Sequence, residues 1–173
     1  PIGFELDFYG AKRSEFYISE NGHITLGGLP SLSPYFYGPC PPGSYFAPYI
    51  APYLENLDLR HSGRIRWHAD GERLVVEYQD ARRYDRNELA EPLNCQIVVT
   101  RDGSIDFNYE SVPPTDFPLT PPLVAIGSGS NDESLAPSCE IPFPARERTT
   151  LHFWRENPWL EFSAPADTVE TGD

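Results

Sequence analysis

Apolar and polar residues alternate in short runs along most of this chain, the period of a strand with one face buried and the other wet. In the first run, Phe4-Glu5-Leu6-Asp7-Phe8, the residues Phe4, Leu6 and Phe8 share a face, and Tyr9-Gly10 ends it. A second run, Glu15 to Glu20, turns at Asn21-Gly22 into His23-Ile24-Thr25-Leu26. Arg64 to His68 and Arg73 to Asp80 flank Asp70-Gly71, and Cys95 to Thr100 and Ser104 to Glu110 flank Asp102-Gly103. Asn-Gly and Asp-Gly between alternating runs predict β-hairpins closed by type I′ turns, which need two positive φ angles. Ile50 to Leu59 reads as half strand and half turn, Leu123 to Ile126 as a buried strand, and Thr149 to Trp154 as a last strand. Sustained helical periodicity is missing, and a single turn over Arg86 to Ala90 is the most the pattern allows. The fold class is therefore all-β: an antiparallel β-sandwich built from hairpins, with long Pro/Tyr-rich loops.

Composition sharpens this. Length 173 suits one ordinary core plus a tail, and 13% aromatic content supplies bulk without metal or several disulfides. A formal net charge of −13 argues against a nucleic-acid backbone or an anionic membrane surface as partner. Lys12 is the single lysine, which fits a high-GC genome or a salt-adapted source. No run approaches the roughly 18 apolar residues of a membrane helix, so direct membrane insertion is not expected. The chain opens at Pro1-Ile2-Gly3 directly into strand-like sequence. It reads as a processed or excised piece, so the missing leader says nothing of compartment.

Cys95, on the face of Ile97 and Val99, reads as a buried inert thiol. Cys40 and Cys139 sit in Pro-rich loops that a disulfide would pin in an oxidising compartment; the other reading is two unrelated loop thiols. His23 and His61 are expected in solvent, and His68 and His152 near strand ends with hydrogen-bond partners. Their spacing offers no pair of metal ligands. Gly127-Ser128-Gly129-Ser130 is neither a nucleophile elbow nor a phosphate cradle. No catalytic residue and no cofactor are expected. The weak exception is calcium, for which Glu55, Asp58, Asp80 and Asp85 offer oxygens without forming a loop cage. The Gly- and Pro-rich segment 27 to 49 brings together Tyr35, Phe36, Tyr37, Tyr45 and Phe46, followed by Tyr49 and Tyr53. Such a cluster serves as a protein interface, a sugar-stacking platform or a lid over one end of the sandwich.

These blocks, in order, resemble the nidogen-type extracellular (NIDO-like) domain. The likeness runs from Phe4–Gly10 and Phe16–Ile24 through Ile50-Ala51-Pro52-Tyr53, Gly63-Arg64-Ile65, Arg73–Tyr78, Gln96–Val99 and Asp102–Tyr109 to Ala125-Ile126-Gly127. Two positions depart from that pattern: Leu54 stands where a Trp is usual, and Asn56 where an acidic residue is usual. The resemblance implies a non-catalytic, secreted or surface-exposed module of a larger protein. Asn157 to Pro165 and Thr168 to Asp173 in turn resemble the opening of an immunoglobulin-like domain. Residues 1–154 are thus expected to form the domain, and 155–173 a linker or docking tail whose Trp159, Leu160 and Phe162 are too apolar to stay solvated. The expected function is a structural or adhesion module meeting neighbouring domains or subunits. The alternative is a carbohydrate-binding sandwich that uses the Tyr-rich loop 35–53 on glycans.

Overall fold

The computed structural model describes residues 1–28, 47–60, 62–84, 91–113, 122–129, 134–136, 138, 148–156 and 159–163, from 154 onward by backbone alone. Strands β1 (Leu6–Phe8) and β2 (Ala11–Arg13) form a small ribbon around Tyr9-Gly10. Next come β3 (Phe16–Ser19), β4 (His23–Leu26), β5 (Tyr49–Leu54), β6 (Leu57–Asp58), β7 (Arg64–Ala69) and β8 (Arg73–Arg83). The chain continues through β9 (Leu93–Thr100), β10 (Ile105–Ser111), β11 (Leu123–Gly127), β12 (Ser134–Leu135), β13 (Thr149–Glu156) and β14 (Trp159–Ser163). A five-stranded sheet runs β12-β11-β5-β4-β3. A seven-stranded sheet runs β14-β13-β10-β9-β8, and the far side of the long β8 is shared end to end by β7 and β6. Every pairing is antiparallel, and the two sheets make the expected all-β sandwich.

Alternation builds the core. Leu74, Val76 and Tyr78 of β8, Ile97 and Val99 of β9, and Ile105, Phe107 and Tyr109 of β10 all point inward with Leu151 and Phe153 of β13. They meet Ile24, Leu26, Ile50, Val124 and Ile126 from the smaller sheet, and Ile2, Phe4, Leu6 and Phe8 fill the same core. Each fully buried side chain of this size contributes about 1.5–3 kcal/mol. The smaller sheet departs from simple alternation. Its strands β4, β5 and β11 are buried at every position, and Tyr49, Ala51, Leu54, Leu123, Ala125 and Ala136 form a second apolar cluster. Two faces are covered, not one.

The hairpins form where expected, but not with the expected turns. Positive φ falls on Gly22, Gly71 and Gly103, and on none of Asn21, Asp70 and Asp102, so no type I′ turn is present at these sites. In the first and third, Ser19 pairs with His23 and the Thr100 N–H donates to the Ser104 carbonyl, leaving a three-residue loop with glycine at its left-handed end. The Asp side chains brace the turns from outside. Asp102 accepts the Ser104 N–H, and Asp70 accepts those of Glu72 and Arg73.

Bulges and tyrosines lock the two sheets together. The pairing of β5 with β11 slips by one residue around Pro52-Tyr53, where a proline costs no ladder bond. The freed Pro52 carbonyl is taken by the Tyr109 hydroxyl across the core at 2.7 Å. The Tyr78 hydroxyl, also buried, lies 2.8 Å from both the Ser19 and His23 carbonyls. Tyr78 and Tyr109 stand either side of Cys95 in register. Cys95 is a free, buried thiol as expected, and burial pushes its pKa well up. Two more slips flank Asn94, at Gln79-Asp80 on β8 and Glu110 on β10. Asn94 stitches them by accepting the Asp80 N–H and donating to Ser111, which itself donates to the Pro92 carbonyl.

Candidate functional site

Two surfaces stand out among the described residues. The first is the side of the sandwich where β3 and β7 run. Phe16 of β3 meets Trp67 of β7 edge-on, ring centroids 5.5 Å apart. Trp67 nevertheless stays 54% exposed, and Tyr17, next to Phe16 on β3, 37%. β7 is the most exposed strand described, and among the described residues it pairs with β8 alone, so it leaves one row of backbone groups open. Period-2 alternation puts Arg64, Arg66 and His68 on one face and Ile65, Trp67 and Ala69 on the other. Ile65 and Ala69 are packed against the core. Among the described residues no carboxylate lies within ion-pair distance of Arg64 or Arg66, whereas Arg60, Arg73 and Arg101 pair with Asp58, Asp70 and Glu72.

The second surface is the outer face of the larger sheet. Registered across β7, β8, β9, β10 and β13 are Arg66, Glu77, Gln96, Asn108 and Thr150. Gln96 donates to Glu77 at 3.1 Å, and Thr150 to Asn108 at 2.8 Å. In a neighbouring row His152 contacts the Asp106 carboxylate, the partner expected for a histidine near a strand end. Where the strands bulge, a cleft of about 350 Å³ opens, walled by Glu77, Gln79, Gln96, Asn108, Glu110 and Arg148. The Gln79 side-chain oxygen is buried there without a hydrogen-bond partner. The amides, carboxylates and guanidinium of this lining can both donate and accept hydrogen bonds.

The residues singled out in the sequence distribute unevenly. Tyr49 and Tyr53, grouped above with the surface aromatics, are 1% and 0% exposed and belong to the core. Tyr49 covers Gly127, where an added Cβ would strike its ring at 2.5 Å. Tyr35, Phe36, Tyr37, Tyr45, Phe46, Cys40, Cys139, His61 and Asp85 lie outside the described residues. Among the described residues, Glu55, Asp58 and Asp80 are not brought together, and no cluster of three or more metal-ligating side chains occurs. Glu55 instead faces buried Arg83 at 3.1 Å and accepts the Asn56 N–H, while Asp58 pairs with Arg60. Trp159, Leu160 and Phe162 lie on β14, which pairs with β13 in the register Glu156↔Trp159, Arg155↔Leu160 and Phe153↔Phe162.

His23 corrects an expectation. It is fully buried, not solvated, because it sits on a face of the smaller sheet that is also covered. Burial lowers its pKa to about 4 against a smaller opposing pull from the Asn21 backbone, and neither ring nitrogen makes a well-formed hydrogen bond. Trp67 and its arginine neighbours escaped notice in the sequence. Their signal was arginine at two successive outward positions beside an aromatic, in an otherwise acidic chain. Among the described residues no helix is long and apolar enough to cross a membrane.

A family model described as NIDO related matches residues 1–150. No curated protein and no solved structure matches the chain.

Proposed function

Because the chain belongs to the NIDO-related family, a family of extracellular-type modules, we propose that it is a non-catalytic contact domain of a surface or secreted protein. It meets a neighbouring domain or subunit through the side formed by β3 and β7. The observation that carries this reading is Trp67, a large aromatic left 54% exposed on an open edge strand and backed by Phe16. Exposed tryptophan next to arginine is the composition of interface hot spots, and burying such an anchor is typically worth about 2 kcal/mol or more. A photo-crosslinking residue placed at position 67 of the intact parent protein tests it, with equally exposed Tyr84 as the control position. The expected result is a defined polypeptide adduct from position 67 and none from position 84. Equal labelling from both positions, or none from either, would refute the assignment.

The cleft on the larger sheet supports a second reading, carbohydrate binding. Amides and carboxylates arranged across a sheet suit sugar hydroxyls, and Gln79, Gln96, Asn108, Glu77 and Glu110 line this cleft. Screening the domain on a glycan array beside Gln79→Ala and Asn108→Ala variants decides it. Binding lost in both variants supports the reading; a blank array retires it.

A further inference from the structure

We infer that β7 is a docking edge for an acidic, extended polypeptide segment that adds to the larger sheet as a further strand. The inference rests on the contact reading above and names its partner chemistry. Among the described residues the edge of β7 away from β8 meets no strand, and an extended chain is the ligand that satisfies such a row of N–H and C=O groups.

The side chains then specify which extended chain. On one face the incoming strand finds Arg64, Arg66 and His68, all exposed. On the other it finds Trp67, with Ile65 beneath. A strand that places carboxylates at every second residue and aliphatic side chains between them is complementary to both faces at once, because its own period is also 2. A second copy of β7 is the poorer occupant. Paired in register with itself, β7 would set arginine against arginine, and like charges directly across a strand pair are destabilising.

Cations on an edge also serve to keep edges from pairing, and that is the competing explanation of Arg64 and Arg66. Trp67 separates the two. A protected edge has no use for an exposed indole, whereas a docking edge needs an apolar anchor beside its charges.

The test uses the whole 173-residue chain and a capped synthetic peptide of about seven residues that alternates glutamate with valine, a typical strand length. Calorimetry should show saturable binding, and hydrogen exchange should slow at alternate amides of Arg64–Ala69. The same peptide with alternate backbone amides N-methylated keeps its charge but cannot pair as a strand, and should lose binding at least tenfold. The double variant Arg64→Glu, Arg66→Glu should bind the glutamate peptide at least tenfold more weakly and prefer a lysine–valine peptide. No binding, binding undiminished by N-methylation, or binding without slowed exchange in β7 would each overturn strand addition. Crosslinking from position 67 is independent of all three, so the contact reading can survive this failure and the reverse.

Discussion

Burial, outweighing the opposing pull of the Asn21 backbone, carries the His23 imidazole from its ordinary value of 6.5 down to about 4, which ties this one residue to the acid stability of the domain. The folded state keeps the ring neutral, while the unfolded chain takes up a proton as pH falls through 6.5. Stability from this source is therefore complete above about pH 6.5, drains away between there and pH 4, and stays lost below. A gap of this size corresponds to about 3 kcal/mol, at about 1.4 kcal/mol per pH unit. Asp70 and Asp102 are held below their usual range, Asp70 chiefly by the Glu72 backbone N–H and Asp102 chiefly by the Thr100 hydroxyl. What they contribute is lost only as pH falls further, so the two windows separate. Urea midpoints for the wild type and His23→Leu, measured from pH 7 to pH 4, should converge or cross as the wild type loses stability faster. Parallel curves would show that the ring is not buried neutral.

At the scale of elements, the Asn21-Gly22 turn shows what the sequence could and could not say. Dipeptide and alternation together place the hairpin correctly, because both are local properties. The turn type is not local: the loop closes over three residues and packs on β5, with the Tyr53 N–H donating to the Gly22 carbonyl. A Cβ at Gly22 would fall 1.9 Å from the Tyr53 carbonyl oxygen, whereas one at Gly10 would meet nothing within 4 Å. Both glycines have positive φ, 75° and 72°, so left-handed strain of about 1–2 kcal/mol is common to both. Gly10→Ala should cost only that. Gly22→Ala should cost at least about 2 kcal/mol more, since a backbone collision forces the turn off β5. Equal losses in denaturant unfolding would mean the turn does not dock. The same distinction explains His23, Tyr49 and Tyr53. Alternation reports that a strand has two faces, but only the packed fold reveals that both faces of the smaller sheet are covered.

For the molecule as a whole, the family frame and the strands apart from the short, polar β2 were legible in order from Phe4 to Gly127, because hairpin punctuation and apolar spacing survive in any one sequence. The proposed contact side was not, since it forms only where the edges of two sheets, separated by some fifty residues of chain at Phe16 and Trp67, come together. Charge has the same global character. Thirteen excess negative charges repel one another in the compact state, and with few cations they are far from neutralised. Opposing this are exposed pairs such as Lys12–Glu5, Arg73–Asp70 and Arg101–Glu72, which water screens until each adds little. The Glu55–Arg83 pair, with side chains 11% and 4% exposed, is shielded from salt and should be little affected. Raising ionic strength from about 0.01 M to 0.15 M shortens the screening length from about 30 Å to about 8 Å, which removes distant repulsion before it removes contact pairs. Repulsion therefore dominates the salt response, and the melting temperature should rise by several degrees over that range. A melting temperature that falls with added salt would show instead that the local pairs outweigh the net charge.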